Sequence, residues 1–211
     1  MRKINKGEEP PSLSAWKRAN PQDRYGDLSS EVKQDIRSSC ITEQFSLCAY
    51  CCTAISASDG SCHNEHVEAQ SRASNRTLDH TNIVASCNKE KRCGKAHKAQ
   101  ALPLTPLMDE CESELKFYMS GRVEGVTDRA KESIRALNLG DNYQNNRDLV
   151  ETRKQFVDAI IYQQGATPED ITLLDEELLQ MIVEDISVPQ DGKLLPFSPV
   201  LVNILRDLLA A

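Results

Sequence analysis

Apolar residues recur at helical spacing over much of the chain, whereas strand-like alternation is scarce. Recurrence at every third or fourth position predicts amphipathic helices. The predicted helices run from Ser29 or Ser30 to about Leu47, from Asp109 to Met119, from Asp128 to Leu137, from Asn146 to Gln163 and from Pro199 to Leu209. The pattern therefore favours an α+β fold that is mainly helical.

Residues with capping chemistry mark several ends of these helices. Ser30 is an N-cap candidate with an acid directly behind it, and Gly165 follows the fourth helix as a stop. Thr167 followed by Pro168 and two acids is typical of a further helix start. The first residues, with two prolines at positions 10 and 11, predict an arm that is mobile or extended over a partner.

Length and hydropathy narrow the class of protein. The chain has 211 residues, which suits one domain or a small domain with an appendage. It contains no stretch of about 18 apolar residues, and its start lacks the apolar region of a secretory signal. We therefore expect no membrane segment and a cytoplasmic location, where clustered cysteines bind metal or react more often than they form disulfides.

Charge and cysteine content divide the chain into three parts: 1–44, 45–104 and 105–211. The net charge is -7, from 25 basic and 32 acidic residues. Residues 1–44 hold 8 basic and 7 acidic residues, residues 45–104 hold 7 and 5, and residues 105–211 hold 10 and 20. The excess of acidic residues therefore lies wholly in the third part. The middle part is mildly basic and holds six of the eight cysteines and all four histidines. It is the candidate functional core, and the third part is predicted to be an acidic helical region that docks a partner.

Two close pairs of cysteines predict a structural zinc site. Cys48 and Cys51 form a Cys-x-x-Cys pair, and Cys87 and Cys93 follow 35 residues later. Four thiolates on two short loops suit tetrahedral zinc. Cys52 could replace a ligand, and the other cysteines are expected to be small buried hydrophobes. The alternatives are buried free thiols or a redox pair, although no βαβ pattern surrounds these cysteines.

An acid next to a histidine lies between the two cysteine pairs. Glu65 and His66 are followed by Asn82 and, after the second pair, by His97. A neutral imidazole can accept a proton from water near pH 7, and a carboxylate with a further nitrogen or oxygen ligand can hold a divalent cation. Such a cation can stabilise charge on a phosphate oxygen. Successive side chains of a strand point to opposite sides, so the hairpin must bend here for Glu65 and His66 to face one metal.

These motifs together resemble the HNH, or ββα-metal, endonucleases. The resemblance rests on the order Cys-x-x-Cys, Glu-His-x-x-x-Gln-Ser, Asn-Ile-Val, Cys-Gly and a trailing His-Lys, over a quarter of the chain. In that family a two-stranded hairpin and a helix hold one catalytic divalent metal, and many members add a zinc site. The resemblance therefore implies a small ββα-metal core with structural zinc, flanked by an N-terminal helix and a C-terminal helical region.

The wider arrangement is similar to the retron- and Septu-associated PtuB-like subfamily. The similarity extends from residue 1 to about 155 and rests on the Met-Arg-Lys-Ile start, Glu43-Gln44 before the first cysteine pair, Cys93-Gly94, residues 104–107, residues 117–121 and residues 137–139 before Arg147. It implies an effector subunit of an antiphage system that works with a P-loop ABC or SMC-like ATPase (PtuA-like). A retron reverse transcriptase with its msDNA is a further implied partner.

The family resemblance assigns a role to each polar residue of the core. His66 is expected to be the general base, Glu65 the metal ligand before it, and Asn82 the residue that orients the base. The third metal position is open, because Gly94 stands where many members have His or Asn; His97 is preferred and Asn88 is the alternative. His63 is expected to contact a metal ligand, to help hold the metal or to be a structural histidine, and His80 is expected to face solvent or the hairpin. The implied catalytic cation is Mg²⁺, with Mn²⁺ or another ion as alternatives.

Basic residues around this core suggest contacts with DNA or RNA. The candidates for phosphate binding are Arg72, Arg76, Lys91, Arg92, Lys95 and Lys98. The function expected from the sequence is metal-dependent hydrolysis of nucleic-acid phosphodiester bonds. The alternative is a zinc-ribbon scaffold or interaction module without chemistry, which the absence of His after Cys93 and the low overall density of basic residues would fit.

Overall fold

The computed structural model describes residues 1–58, 60–142 and 144–210. Within these residues the protein has an α+β fold with seven α-helices and two small antiparallel sheets. The helices are α1 (Pro11–Ala19), α2 (Ser30–Glu43), α3 (Gly94–His97), α4 (Asp128–Leu137), α5 (Arg147–Gln163), α6 (Glu176–Ser187) and α7 (Ser198–Leu209). The strands are β1 (Cys62–His66), β2 (Ile83–Cys87), β3 (Leu115–Phe117) and β4 (Val123–Gly125). The prediction of a mainly helical α+β fold is confirmed.

The first sheet is a hairpin of β1 and β2 that carries most of the polar residues of interest. Cys62 pairs with Cys87 at one end, and His66 pairs with Ile83 at the other. Strand β2 is buried throughout, whereas β1 alternates between buried and half-buried residues. His63 and Glu65 therefore share one face of β1, and Asn64 and His66 lie on the other.

Helix α2 sets the position of the first cysteine pair. Ser29, not Ser30, is the N-cap, because its hydroxyl accepts from the backbone N–H of Val32. The helix ends at Glu43, before the predicted Leu47, since Phe45 and Ser46 have left-handed backbone conformations with φ of 51° and 62°. A reversal of this kind stops a helix and turns the chain.

The amide side chain of Gln44 then ties this turn to β2. Its nitrogen donates to the carbonyls of Leu47 and Ala85, and its oxygen accepts from the Ala85 N–H. The turn with Cys48 and Cys51 is thereby held beside the hairpin.

Predictions for the C-terminal part were confirmed for the long helices and wrong for the short segments. Helices α4, α5 and α7 lie where the apolar spacing predicted them. The segment expected to be helical from Asp109 has only one 3₁₀ turn and then strand β3, which pairs with β4. The next helix start is not at Thr167, because Asp175 caps α6 by accepting from the Leu178 N–H.

The N-terminal arm is packed, so the prediction of a mobile or extended arm was wrong. Met1 and Ile4 are buried with the core, and the Ile4 N–H donates to the Pro106 carbonyl at 2.8 Å. Lys6 reaches into the protein and donates to the Ile83 carbonyl of β2 at 2.8 Å. Proline at the first helical position then begins α1.

Buried apolar residues of all three parts of the chain belong to one cluster. The Cys93 N–H donates to the Leu137 carbonyl at 2.8 Å, and the Phe197 N–H donates to the Cys52 carbonyl at 3.0 Å. The C-terminal helices therefore cover the cysteine region directly. No described helix combines the length and the apolar character needed to cross a bilayer.

Candidate functional site

Four cysteines converge on one point between the turn after α2 and the end of the hairpin. The sulfurs of Cys48, Cys51, Cys87 and Cys93 all lie within 4.8 Å of one another, and all four residues are buried. The Sγ atoms of Cys51 and Cys87 are 3.8 Å apart. Thiolates bound at ~2.3 Å from a tetrahedral ion lie about 3.8 Å apart, so this cluster could hold a structural metal such as zinc.

Local backbone geometry presents these sulfurs to the common point. The Cys52 N–H donates to the Cys48 carbonyl, which closes the first turn, and the Cys87 N–H donates to Cys48 Sγ at 3.3 Å. Cys93 has a left-handed φ of 55°, which turns the chain after β2 back towards the first pair. Hydrogen bonds from the other three thiols lower the pKa of Cys87, whereas burial raises the pKa of Cys48 and of Cys93.

The remaining cysteines lie outside this cluster. Cys52 is buried next to Cys51, but it is not among the four converging sulfurs. Cys40, Cys62 and Cys111 are likewise buried, which agrees with the expectation of small buried side chains. Burial raises the pKa of Cys40 and of Cys111 to about 11, so these thiols stay protonated near neutral pH.

A second polar cluster surrounds Glu65 on the other face of the hairpin from His66. His97 Nδ1 lies 2.8 Å from Glu65 Oε1, and His63 Nε2 lies 3.1 Å from Glu65 Oε2. Asn88 Oδ1 is 2.7 Å from His63 Nδ1. Strand β1 supplies His63 and Glu65, and the short helix α3 supplies His97. The structure thus brings together residues 63, 65, 88 and 97, all predicted candidates for the metal site.

Hydrogen-bond donors are missing from the centre of the Glu65 cluster. A backbone carbonyl can only accept, so His97 Nε2, at 2.6 Å from the Gln100 carbonyl, carries the proton in a neutral ring. The lone pair of Nδ1 then faces a carboxylate oxygen. Two acceptors at 2.8 Å repel unless a cation lies at this contact, either a second proton on the imidazole or a metal ion.

The same reasoning applies to His63. Asn88 Nδ2 donates to the Gly60 carbonyl at 2.6 Å, which directs Asn88 Oδ1 towards His63 Nδ1. A neutral His63 therefore carries its proton on Nδ1 and presents the lone pair of Nε2 to Glu65. Burial by itself would raise the pKa of Glu65, but when His63 and His97 carry a second proton their hydrogen bonds and positive charge lower it below its usual value. The carboxylate is ionised and lies between two oriented imidazoles.

The Glu65 cluster is wider than the cysteine cluster. Among the described residues, only the four cysteines form a group of three or more ligand atoms within 4.8 Å of one another. His63 and His97 bind opposite oxygens of Glu65. One oxygen of Glu65 and Nδ1 of His97 could hold a cation together. Water or substrate would then fill the remaining coordination positions of the cation.

Gly94 makes room for the Glu65 cluster. A Cβ atom at position 94 would lie 2.6 Å from Glu65 Oε2 and 2.8 Å from His63 Nε2. Such distances are far below van der Waals contact, so a side chain here would displace the carboxylate. The present positions of Glu65 and His63 therefore require glycine at position 94.

His66 has the hydrogen bonds of an oriented proton acceptor. Its Nε2 donates to the Thr77 carbonyl at 2.9 Å, which leaves Nδ1 unprotonated, and Gln70 Nε2 lies 3.3 Å from that Nδ1. The Tyr25 ring packs edge-on against the imidazole with centroids 4.8 Å apart. Burial lowers the pKa of His66 below its usual value, so the ring is neutral near pH 7.

The contacts of Asn82 and His80 differ from those that the sequence suggested. Asn82 Oδ1 accepts from the Glu68 N–H and its Nδ2 donates to the Glu68 carbonyl, so it closes the loop after β1 rather than bonding to the ring of His66. His80 was expected to face solvent or the hairpin, but it is buried, with Nε2 at 3.1 Å from Glu43 Oε1. Lys6 also binds Glu43. The side chains of Lys6, Glu43 and His80 thus form a buried network next to the loop that carries Asn82.

The residues that were predicted to bind nucleic acid lie in three different environments. Arg72, Lys91, Lys95 and Lys98 are exposed. Arg76 is half-buried and pairs with Glu68 and Asp79. Arg92 is only 4% exposed and lies against the cysteine cluster, so it is not part of the basic surface.

A groove of about 370 Å³ runs beside Asn82. Its polar lining consists of Glu68, Arg72, Arg76, Asn82, Gln100 and Thr105, and its apolar lining of Val67, Ala69, Ala101, Leu102, Leu107 and Met108. The groove adjoins the Glu65 cluster through Gln100, whose carbonyl accepts from His97. It can accommodate a flexible anionic ligand next to that cluster.

Several site residues carried no signal in the sequence. The carbonyls of Thr77 and Gln100 decide which ring nitrogens are protonated, but any residue supplies a carbonyl. Tyr25 lies 41 positions before His66 and contacts it only through folding. Arg153 of α5 is fully buried near the cysteines, although the sequence analysis assigned it no role.

No protein-family model matches the chain, and no curated protein matches it.

Proposed function

We propose that this protein is a metal-dependent endonuclease of the HNH, or ββα-metal, type that hydrolyses phosphodiester bonds in nucleic acid. The observation that carries the proposal is the contact of 2.8 Å between Glu65 Oε1 and His97 Nδ1, on a hairpin followed by a short helix. A carboxylate and an imidazole at this distance suit a cation. An oriented neutral imidazole, His66, is the next residue of the strand and lies on its opposite face.

The residues of the chain divide the hydrolytic reaction between them. His66 Nδ1 accepts the proton of the attacking water, because Nε2 is committed to the Thr77 carbonyl. Asn82 holds the loop that follows His66 through two hydrogen bonds to Glu68. A divalent cation bound at Glu65 and His97, Mg²⁺ by resemblance or Mn²⁺, would stabilise negative charge on the phosphate oxygens.

Substrate approach is supported by the basic residues near the groove. Arg72 and Lys98 are exposed, and Arg72 lines the groove beside Asn82. Lysine and arginine contacts to phosphates supply most of the sequence-independent affinity for nucleic acid. This basic surface and the Glu65 cluster are joined at Gln100.

Cleavage of plasmid DNA and of RNA with Mg²⁺ or Mn²⁺ tests the proposal. We expect His66→Ala to lower the cleavage rate by roughly 10²- to 10⁴-fold, and Glu65→Gln to lower it similarly at limiting metal. Glu132→Gln is the control, because Glu132 is an exposed acid of α4 outside the Glu65 cluster and the groove. Cleavage by His66→Ala at the wild-type rate would contradict the assignment of the base.

The PtuB-like resemblance extends the proposal to an effector subunit that works with a P-loop ABC or SMC-like ATPase. Two observations support a docking role for the region around α6. It has no lysine, arginine or histidine between Lys154 and Lys193, and it exposes Tyr162, Leu173 and Met181 by 59%, 80% and 56%. An acidic surface with exposed apolar side chains suits a basic partner.

Surface substitutions test this docking proposal better than removal of the tail. The C-terminal helices contribute to the common core, so their deletion would expose it. We expect Leu173→Ser with Met181→Ser to weaken co-purification with an ATPase from the same genome. Val126→Ser is the control, since Val126 is equally exposed, at 61%, outside this region. Unchanged co-purification of the double variant would exclude this surface.

A zinc-ribbon scaffold without chemistry remains the second candidate. The compact cysteine cluster favours it, because it alone among the described residues brings ligand atoms close enough for direct metal binding. His66 is also only 6% exposed. The same experiment separates the two functions: a scaffold would contain zinc, fold normally and cleave nothing with either cation.

A further inference from the structure

Arg153 is a buried cation without a carboxylate partner. The residue is 1% exposed, and its terminal nitrogens donate to the carbonyls of Gly121 at 2.6 Å and Leu139 at 3.0 Å. Its Nε is buried and has no hydrogen-bond acceptor, and no described acid lies within ion-pair distance. An isolated buried charge is strongly unfavourable unless an opposite charge lies nearby.

Arg92 is a second buried guanidinium in a similar position. It is 4% exposed, and its Nε and Nη1 have no hydrogen-bond acceptor among the described residues. Asp148 is its only ion-pair partner in the described chain, at 3.7 Å, and that carboxylate is 84% exposed. A partner so distant and so well hydrated offsets little of the cost of burial.

Both guanidiniums lie beside the cysteine cluster. Arg92 directly precedes Cys93, and Arg153 donates to the carbonyl of Leu139, two residues after Leu137, whose carbonyl accepts from the Cys93 N–H. Burial by itself would lower the pKa of Arg92, but negative charge on Cys51, Cys87 and Cys93 raises it. Burial lowers the pKa of Arg153 to about 10, and negative charge on Cys51, Cys52 and Cys93 opposes that shift. The described surroundings thus point to the cysteine cluster as the common source of negative charge.

The charges of the two arginines match those of one particular metal complex. Four thiolates and one divalent ion carry a net charge of minus two, and two guanidiniums carry plus two. We propose that Arg92 and Arg153 are the counter-ions of a four-thiolate metal site and increase its affinity for Zn²⁺ by balancing this charge. The proposal is independent of the nuclease assignment, because it concerns the cysteine site alone.

This arrangement links the C-terminal helices to the metal. Arg153 belongs to α5, and Arg92 lies between the hairpin and α3. Loss of the metal would leave both cations buried without a compensating charge. Metal binding is therefore expected to stabilise the contact of α5 with the core as well as the turns that carry the cysteines.

Zinc affinity of variants of the full chain tests the proposal. We would measure Zn²⁺ dissociation constants by competition with a chromogenic chelator for wild type, Arg92→Met, Arg92→Lys and Arg153→Met. Loss of a group that supports metal ligands costs about 10- to 100-fold in affinity, and we expect this loss in both methionine variants. Arg92→Lys, which keeps the charge, should recover part of it. Arg135→Met is the control, because Arg135 is exposed on α4.

A change in ligand charge separates charge balance from simple packing. Cys51→His would replace one thiolate by a neutral ligand, so the complex would need one positive charge fewer. The effect of Arg92→Met on affinity should then be clearly smaller in Cys51→His than in wild type. The absorption of the Co²⁺-substituted protein checks that wild type and Arg92→Met both use four thiolates.

The outcomes divide clearly. Lower affinity in Arg92→Met, partial recovery in Arg92→Lys and a smaller effect in Cys51→His would support the proposal. Affinity of Arg92→Met within twofold of wild type would overturn it, as would an equal loss in Arg92→Met and Arg92→Lys. A Co²⁺ spectrum with fewer than four thiolates in wild type would also overturn it. Since Arg153→Met removes two backbone contacts, the Arg92 variants decide the matter if Arg153→Met fails to fold.

Discussion

The two ligand clusters share one hairpin, but they differ in how completely the protein surrounds them. The four cysteines are buried, and their sulfurs lie within 4.8 Å of one another. The Glu65 cluster is wider, and its two histidines contact opposite carboxylate oxygens. The side chains of His63 and Glu65 are 25% and 12% exposed, whereas His97 is fully buried. Closed four-ligand sites are typical of structural metals, and open ones of sites where water or substrate completes the coordination.

The difference arises from the elements that supply the ligands. The cysteines lie on tight turns whose backbone hydrogen bonds converge on one point. Glu65 and His97 lie on a strand and a four-residue helix, and their outer partners are a carbonyl and an amide. A site of this second kind is oriented by its hydrogen bonds, and solvent reaches it at His63 and Glu65. The following changes should separate the two clusters, from the largest expected effect to the smallest.

Removal of one zinc ligand should have the largest effect. Cys87→Ser would leave three thiolates around a buried metal, and structural zinc contributes about 10 kcal/mol or more of binding free energy in small zinc-binding peptides. We expect loss of the one zinc per chain and loss of a cooperative thermal transition. Metal analysis and circular dichroism measure both. Cys52→Ala is the matched control, since Cys52 is equally buried and outside the cluster, and it should keep its zinc.

The buried network of Lys6, Glu43 and His80 should have the next largest effect. Glu43→Gln leaves the Lys6 ammonium, whose side chain is 10% exposed, without its charged partner. Breaking a buried pair in this way costs about 3 to 5 kcal/mol. Chemical denaturation at pH 7 measures the loss of unfolding free energy. Glu132→Gln, an exposed acid of α4, is the control and should change little.

The same network predicts a pH dependence. Burial would raise the pKa of Glu43, but the hydrogen bonds to His80 and Lys6 lower it below the ordinary value of 4.5. A lowered folded-state pKa stabilises the native state above the ordinary pKa, and this stability is lost as the pH falls through the folded value. The stability difference between wild type and Glu43→Gln should therefore be full at pH 7 and shrink below about pH 4.5. A constant difference down to pH 3 would contradict this origin.

Closure of the space beside Glu65 should have the smallest effect on the fold and a clear effect on the site. In Gly94→Ala the new Cβ would lie 2.6 Å from Glu65 Oε2, so the carboxylate would have to move. A misplacement of a reacting group by about 1 Å can lower the rate about 10²-fold. We expect this loss of cleavage with zinc content unchanged. Gly26→Ala is the control, because its Cβ would meet nothing within 4 Å. Equal cleavage rates for the two variants would show that Glu65 is not needed in its present position.

Features that depend on neighbouring residues could be predicted from the sequence. Helix α5 begins after Asn146 and ends before Gly165, as its apolar spacing and stop indicated. The Cys48 to Cys51 spacing predicted a metal-binding turn, and those two sulfurs belong to the cluster. Each of these features is encoded within a few residues, where backbone geometry leaves few alternatives.

Predictions failed where two weak local preferences competed. The segment after Asp109 has apolar residues that suit either a helix or a strand, and its pairing with β4 decided for a strand. Thr167 has good capping chemistry, but α6 begins after Asp175, which caps it equally well. In such segments the energy of tertiary packing exceeds the difference in local propensity.

The sequence by itself determined the chemical inventory of this protein: four paired cysteines, an acid next to a histidine, and an acidic C-terminal region. Only the tertiary structure decided that Arg92 lies buried beside the cysteines, that His63 and His97 flank Glu65, and that Lys6 reaches Glu43. Spacing along the chain limits what neighbouring residues can do. Contacts between residues many positions apart depend on how the helices pack on the hairpin, and that packing is set by the buried core as a whole.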